Sequence, residues 1–169
     1  MTQNTPNKPI KSDTGERFVR EAVLDLLNSF PGNPSKIRYG VLDADGGISM
    51  EVDMGAVVVS EKNDIIGNVH QKCQYPFIVV VRGDASGEWQ KIDISDYLEK
   101  LGSWLCREPE SDTVATYPAL TGGRKITDIE RSNVYALVPN ENQTQDWCLP
   151  VTVNYTHDFT RRNLPWLIN

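Results

Sequence analysis

The chain has 169 residues, 39% of them hydrophobic, which is enough apolar material for one domain core and too little for two. Seventeen Lys and Arg stand against 23 Asp and Glu, a formal charge of -6, and this balance disfavours a protein that grips nucleic acid by neutralising phosphates. The longest apolar runs, Ala56 to Val59 and Phe77 to Val81, fall far short of a bilayer span, and residues 1–13 carry no apolar signal core, so a soluble chain without a secretory leader is expected.

Residues 1–12 are polar and lack an apolar period, which predicts a disordered N-terminal arm ahead of a single domain over 13–160 and a C-terminal tail over 161–169. Phe18, Val19, Ala22, Val23, Leu26, Leu27 and Phe30 then recur at helical spacing, with Asp13 and Glu16 placed as a capping box and Pro31 to Pro34 as the stop. Lys36 to Leu42 and Ile48 to Val52, joined by the Asp43 to Gly47 turn, read as a hairpin. Asp43 and Asp45 imitate the opening of a calcium loop, but Val52 and Met54 stand where oxygen donors are needed, so turn chemistry is the better reading.

Gly55 to Ser60 is a short apolar run, and Glu61 to Gln74 reads as a polar, loop-like segment able to reorder on contact. Tyr75 to Arg82 is a buried central strand, because the apolar residues from Phe77 to Val81 leave no face for solvent. After a Gly83 to Gly87 loop, Ile94, Tyr97, Leu98, Leu101, Trp104 and Leu105 form a second helical stripe, entered through Asp93, Ser95 and Asp96 and closed at Glu108 and Pro109. A loop over 110–123 precedes two closing strands, Lys125 to Val138 with a bulge near Arg131 and Ser132, and Trp147 to Phe159, joined by a turn starting at Pro139. The order predicts an α+β domain: a mainly antiparallel sheet of about four to five strands with two helices packed on one face. Its core should join Phe77, Val79, Val81, Val151, Val153 and Tyr155 to Leu26, Leu98 and Trp104.

Candidate chemistry is sparse. Cys73, Cys106 and Cys148 are an odd, widely spaced set that suits free thiols in a reducing compartment; a zinc site drawing on them with His70 and His157 would have only one close ligand pair. His157 and Asp158 are strand neighbours on opposite faces, which makes His157 a surface histidine and no dyad. The Gly83 to Gly87 and Thr121 to Lys125 turns match neither phosphate-binding pattern. The reading is therefore of a protein that is not an enzyme and that needs no cofactor or metal. Arg161 and Arg162, followed by Trp166, Leu167 and Ile168, suit either an arm that docks into a partner's groove or a tail folded back on its own domain.

Taken in order, the leading helix, Tyr75 to Val81, the helix ending in Trp104 and Leu105, Tyr117 to Leu120, Asn133 to Leu137 and Trp147 to Tyr155 carry a resemblance. The chain resembles, from Asp13 to Phe159, the minor capsid or tail terminator family encoded by phages and prophages of Gram-positive bacteria. The resemblance implies a tail-terminator-like fold and a hexameric ring that caps the tail tube and joins it to the head connector. It also implies residence in the virion tail or neck after assembly and in the host cytoplasm before, without a membrane. DNA would slide through without specific binding, and an acidic conduit repels phosphate. The second class that the sequence admits is a bacterial immunity or adaptor module whose acidic surface recognises a basic partner.

Overall fold

The computed structural model describes residues 11–13, 15–84 and 87–161. Its elements run β1 (Lys11–Ser12), α1 (Glu16–Asn28), β2 (Arg38–Tyr39), β3 (Gly47–Glu51), β4 (Val57–Asn63), β5 (Asn68–Asp84), α2 (Glu88–Leu105), β6 (Arg124–Arg131), β7 (Tyr135–Ala136) and β8 (Thr144–Thr160). β5 and β8, 17 residues each, pair antiparallel from Asn68 with Thr160 to Asp84 with Thr144. The far edge of β5 is shared, β4 taking its first half and β3 its second, while β6 and β7 divide the far edge of β8. Among the described residues this makes an α+β fold with a mixed eight-stranded sheet and two helices packed against it.

The side chains of β5 and β8 alternate with the strand period, which decides what the helices cover. Odd-numbered residues, from Cys73 to Val81 and from Trp147 to Tyr155, enter one core with Val19, Val23, Leu26 and Leu27 of α1 and Leu98, Leu101, Trp104 and Leu105 of α2. Every residue expected in the core belongs to this cluster. Phe30 seals the end of α1 with its ring 5.2 Å from that of Trp104. Asn28 fixes the chain beyond, accepting from the Ile37 N–H at 2.8 Å and donating to the Ile37 carbonyl at 3.0 Å. The even-numbered residues Gln74, Pro76, Ile78, Pro150 and Thr152 lie half-buried on the opposite face. No described helix is long and apolar enough to cross a membrane.

Several local expectations are corrected by pairing that only the assembled sheet determines. The segment around Arg38 is not the first arm of a hairpin: Arg38 and Tyr39 run parallel to Ser49 and Met50. Gly40, at φ 62°, turns the chain out of the ladder, and the reversal itself is confined to a bridge between Asp43 and Gly46. The polar stretch Glu61 to Gln74 is a hairpin, the end of β4, a turn and the start of β5 from Asn68 to Gln74. There Val69, Gln71 and Cys73 point inward while His70 and Lys72 point out, so the period of two is present but carried by a glutamine.

α2 begins at Glu88, one turn and more before the apolar stripe, with Gly87 as its N-cap. The expected strand Lys125 to Val138 divides into β6 and β7, and its register shift falls between Ile126 and Asp128, not near Arg131. Lys11 and Ser12, expected in the arm, pair with Val58 and Val57.

Candidate functional site

The densest polar arrangement in the interior surrounds Asp13. Gly15 is the N-cap of α1 and no side chain caps the helix, so the expected box does not form. Instead the Asp13 carboxylate, 1% exposed, turns inward to Arg124. Arg124 Nε donates to Oδ2 at 2.9 Å and Nη2 to Oδ1 at 2.7 Å, the bidentate geometry for which a guanidinium is suited. The Tyr155 hydroxyl donates to Oδ2 at 2.7 Å and the Gly15 N–H to Oδ1 at 3.1 Å.

The residues before Arg124 explain how it arrives there. Gly123 has φ 74° and its carbonyl accepts from the Asp158 N–H at 2.9 Å; a Cβ at this position would overlap the Asp158 carbonyl oxygen. Only glycine lets the chain lie this close to β8 and deliver Arg124 opposite His157. The Thr121 and Gly122 carbonyls lie 3.4 Å and 3.5 Å from Arg124 Nη1, so this turn presents acceptors to a cation of the chain itself.

His157 continues the cluster. Its Nδ1 is 3.1 Å from Gln71 Oε1 and 3.7 Å from Asp13 Oδ1. Gln71 Nε2 donates to Glu61 Oε2 at 2.7 Å, and Arg161 Nη2 donates to Glu61 Oε1 at 2.6 Å. His157 is thus not a surface histidine: its side chain is 12% exposed, because it shares the helix-facing side of β8 with Tyr155. Asp158 faces the other way and meets His70 Nδ1 at 3.0 Å, where both side chains are exposed.

Electrostatics make this a clamp. Burial works against the ionisation of Asp13, but the hydrogen bonds from Arg124, Tyr155 and Gly15, with the Arg124 charge, hold its carboxyl well below the usual range. Burial, reinforced by the Asp13 charge, pushes the Cys73 thiol up to about 11 and raises Tyr155 as well. Burial and the Arg124 charge lower His157. An ionised carboxylate faces a guanidinium among neutral neighbours, and the chain segment before α1 is tied to β6 and β8.

The metal candidates are not brought together. Cys73 faces the core beside Tyr155, His70 lies on the opposite face, and Cys148 pairs with Val80, seven residues along β5 from Cys73, roughly 23 Å away. Among the described residues no group of three His, Cys, Asp or Glu could hold a metal, and the three cysteines are free thiols.

Of the expected docking residues, Arg161 is exposed and its N–H donates to the Gly67 carbonyl at 2.9 Å, while Arg162, Trp166, Leu167 and Ile168 lie outside the described residues. Exposed apolar side chains gather elsewhere: Ile65 and Ile66 at the tip between β4 and β5, and Tyr135, Leu137 and Val138 beside β7. Since Thr160, the last residue of β8, pairs with Asn68 beside the tip and Trp147 lies against β7, the two patches stand roughly 40 Å apart along the strand pair. Period-two patterning gave no sign of either, because both sit where strands end. In comparisons with known proteins, no family model matches the chain and no curated protein is significantly similar to it.

Proposed function

We propose that this chain is a structural protein of a phage or prophage virion, a tail terminator or head-tail joining component that forms a ring on the tail tube. The observation that carries the reading is the pair of unlike apolar patches at opposite ends of the β5 and β8 ladder, Ile65 with Ile66 and Tyr135 with Leu137 and Val138. A ring closes only through a heterologous interface, in which two different patches meet head to tail, and a component that also joins a neighbouring ring needs a further surface for it. Apolar side chains left in water at defined, separated places supply such surfaces. The net charge of -6 and the resemblance in element order support the same reading.

The test is reconstitution of the full chain with tail-tube and head-connector proteins encoded beside it, followed by electron microscopy and mass measurement. Closed rings on tube ends are expected. A chain that never forms rings with any tail or neck protein, and instead binds a basic protein one to one, belongs to the immunity or adaptor class.

A further inference from the structure

Among the described residues both helices lie on one face of the sheet, and the opposite face carries an apolar surface between polar borders. Ile78 pairs with Pro150 and Val80 with Cys148, all even-numbered and turned away from the helices. Tyr135 stands opposite Cys148 and its side chain meets the Cys148 thiol, so β7 widens the same surface. Leu137 keeps to the ladder, its N–H donating to the Asp146 carbonyl at 2.8 Å, and the strand period puts its side chain on this face too. Tyr135 is 43% exposed and Leu137 48%, while Ile78 and Pro150 are half-buried.

The borders are paired within the chain. Arg82 donates to Asp146 through Nε and Nη2 at 2.7 Å and 2.8 Å at one end, and Gln74 Nε2 donates to Asn154 Oδ1 at 3.1 Å at the other. Along β3, the Ser49 hydroxyl donates to Glu51. An apolar centre inside a satisfied polar rim is the anatomy of a protein interface, because a partner that docks there strands no charge.

The segment that matches this surface is 162–169, where Leu164, Trp166, Leu167 and Ile168 put four large apolar side chains within five residues. Arg161 fixes its point of departure, since its N–H donates to the Gly67 carbonyl at 2.9 Å and its guanidinium to Glu61 at 2.6 Å. Pro150 stands ten residues along β8 from Thr160, roughly 34 Å from that point. Even fully extended, the chain beyond Thr160 carries Trp166 at most about 22 Å and Ile168 about 29 Å, so the segment falls short of the surface on its own copy. Each copy has one such segment and one such surface, and a closed ring uses every one of both.

We infer that residues 164–168 of one copy dock on the surface formed by Ile78, Val80, Tyr135, Leu137, Cys148 and Pro150 of a second copy. The contact joins unlike surfaces and is therefore heterologous, as ring closure requires. This inference rests on the ring-forming reading above and names the contact between its copies.

The test uses the full chain alone, with benzoylphenylalanine in place of Trp166, as a mixture of isotope-labelled and unlabelled copies at up to about 1 mM, a range in which a weak contact is populated. After irradiation, mass spectrometry should find cross-links between labelled and unlabelled copies, from position 166 to the peptides that hold Tyr135, Leu137, Ile78 or Pro150. In sedimentation velocity the wild type should associate with rising concentration, and L137D and W166D should each weaken association about tenfold or more with unchanged circular dichroism. The double variant should lose no more than the weaker single one, because both changes strike one contact. Cross-links within one copy, cross-links to another surface, a wild type that stays monomeric, a variant that associates like wild type, or additive losses each overturn the inference. Rings formed with tail proteins but without these cross-links keep the ring reading and remove this contact. Cross-linked copies that never close into rings with tail proteins do the reverse.

Discussion

Arg124 grips Asp13 with both arms of its guanidinium across 111 positions of sequence, and the pair is almost fully buried. The carboxylate has further donors in Tyr155 and Gly15, which satisfy its remaining lone pairs. A buried pair satisfied in this way is costly to break from one side, because the partner left behind is an uncompensated charge in a poorly solvated place.

Replacing Asp13 by Ala should therefore destabilise the fold by about 3 to 5 kcal/mol, whereas the double change D13L/R124M should cost much less. Urea unfolding of the two single variants and the double variant measures the coupling. Additive losses would show that Asp13 and Arg124 contribute independently.

The same cluster gives stability a pH dependence of known sign. His157 is lowered from 6.5, so as pH falls below that value the unfolded chain takes up a proton that the native chain resists, and stability declines until the native imidazole also protonates. Asp13 adds a second loss: its contribution is complete above 3.8 and disappears as pH falls through the lowered native value. Melting temperature followed against pH should thus fall in two stages, and H157Q should flatten the decline between 6.5 and 3.8. An unchanged slope in that variant would assign the upper stage to other groups.

Within α2, Leu98 is fully buried and Glu99, 45% exposed, reaches Arg131 from the surface. L98A should cost about 2 to 5 kcal/mol through a lost side chain and a cavity. E99A should cost below about 1 kcal/mol, since the pair is half in solvent and Arg131 keeps Glu108 at 2.8 Å. Equal shifts in thermal unfolding would mean that the helix is rotated from the face described.

Removing residues 162–169 spares Arg161 and its contacts with Glu61 and Gly67. The truncated chain should melt as the full chain does and fail to form rings with tail proteins, as a docking arm requires. Rings formed by the truncated chain would remove the tail from the assembly contact.

The two helices and the central strand were legible in the sequence because their signal is local: apolar residues recur at the helical period from Val19 to Leu27 and Leu98 to Leu105, and they run without a break from Phe77 to Val81. The expected inward residues of these elements meet in one core, since burial depends on a periodicity that each segment carries by itself. Glu61 to Gln74 was not legible, because β4 and the start of β5 pair through backbone groups and place Gln71 inward, where hydrophobicity gives no cue. The parallel seat of Arg38 and Tyr39 was hidden for a related reason: a left-handed glycine redirects the chain after only two paired residues.

The Asp13 cluster lay furthest from local pattern. Asp13 has the composition of a cap and Arg124 that of a turn, and neither segment contains the other's partner. Tertiary structure decided their roles, because once β6 lies on β8 an ion pair between Asp13 and Arg124, with Tyr155 donating to the carboxylate, is the state that leaves no buried charge unmatched.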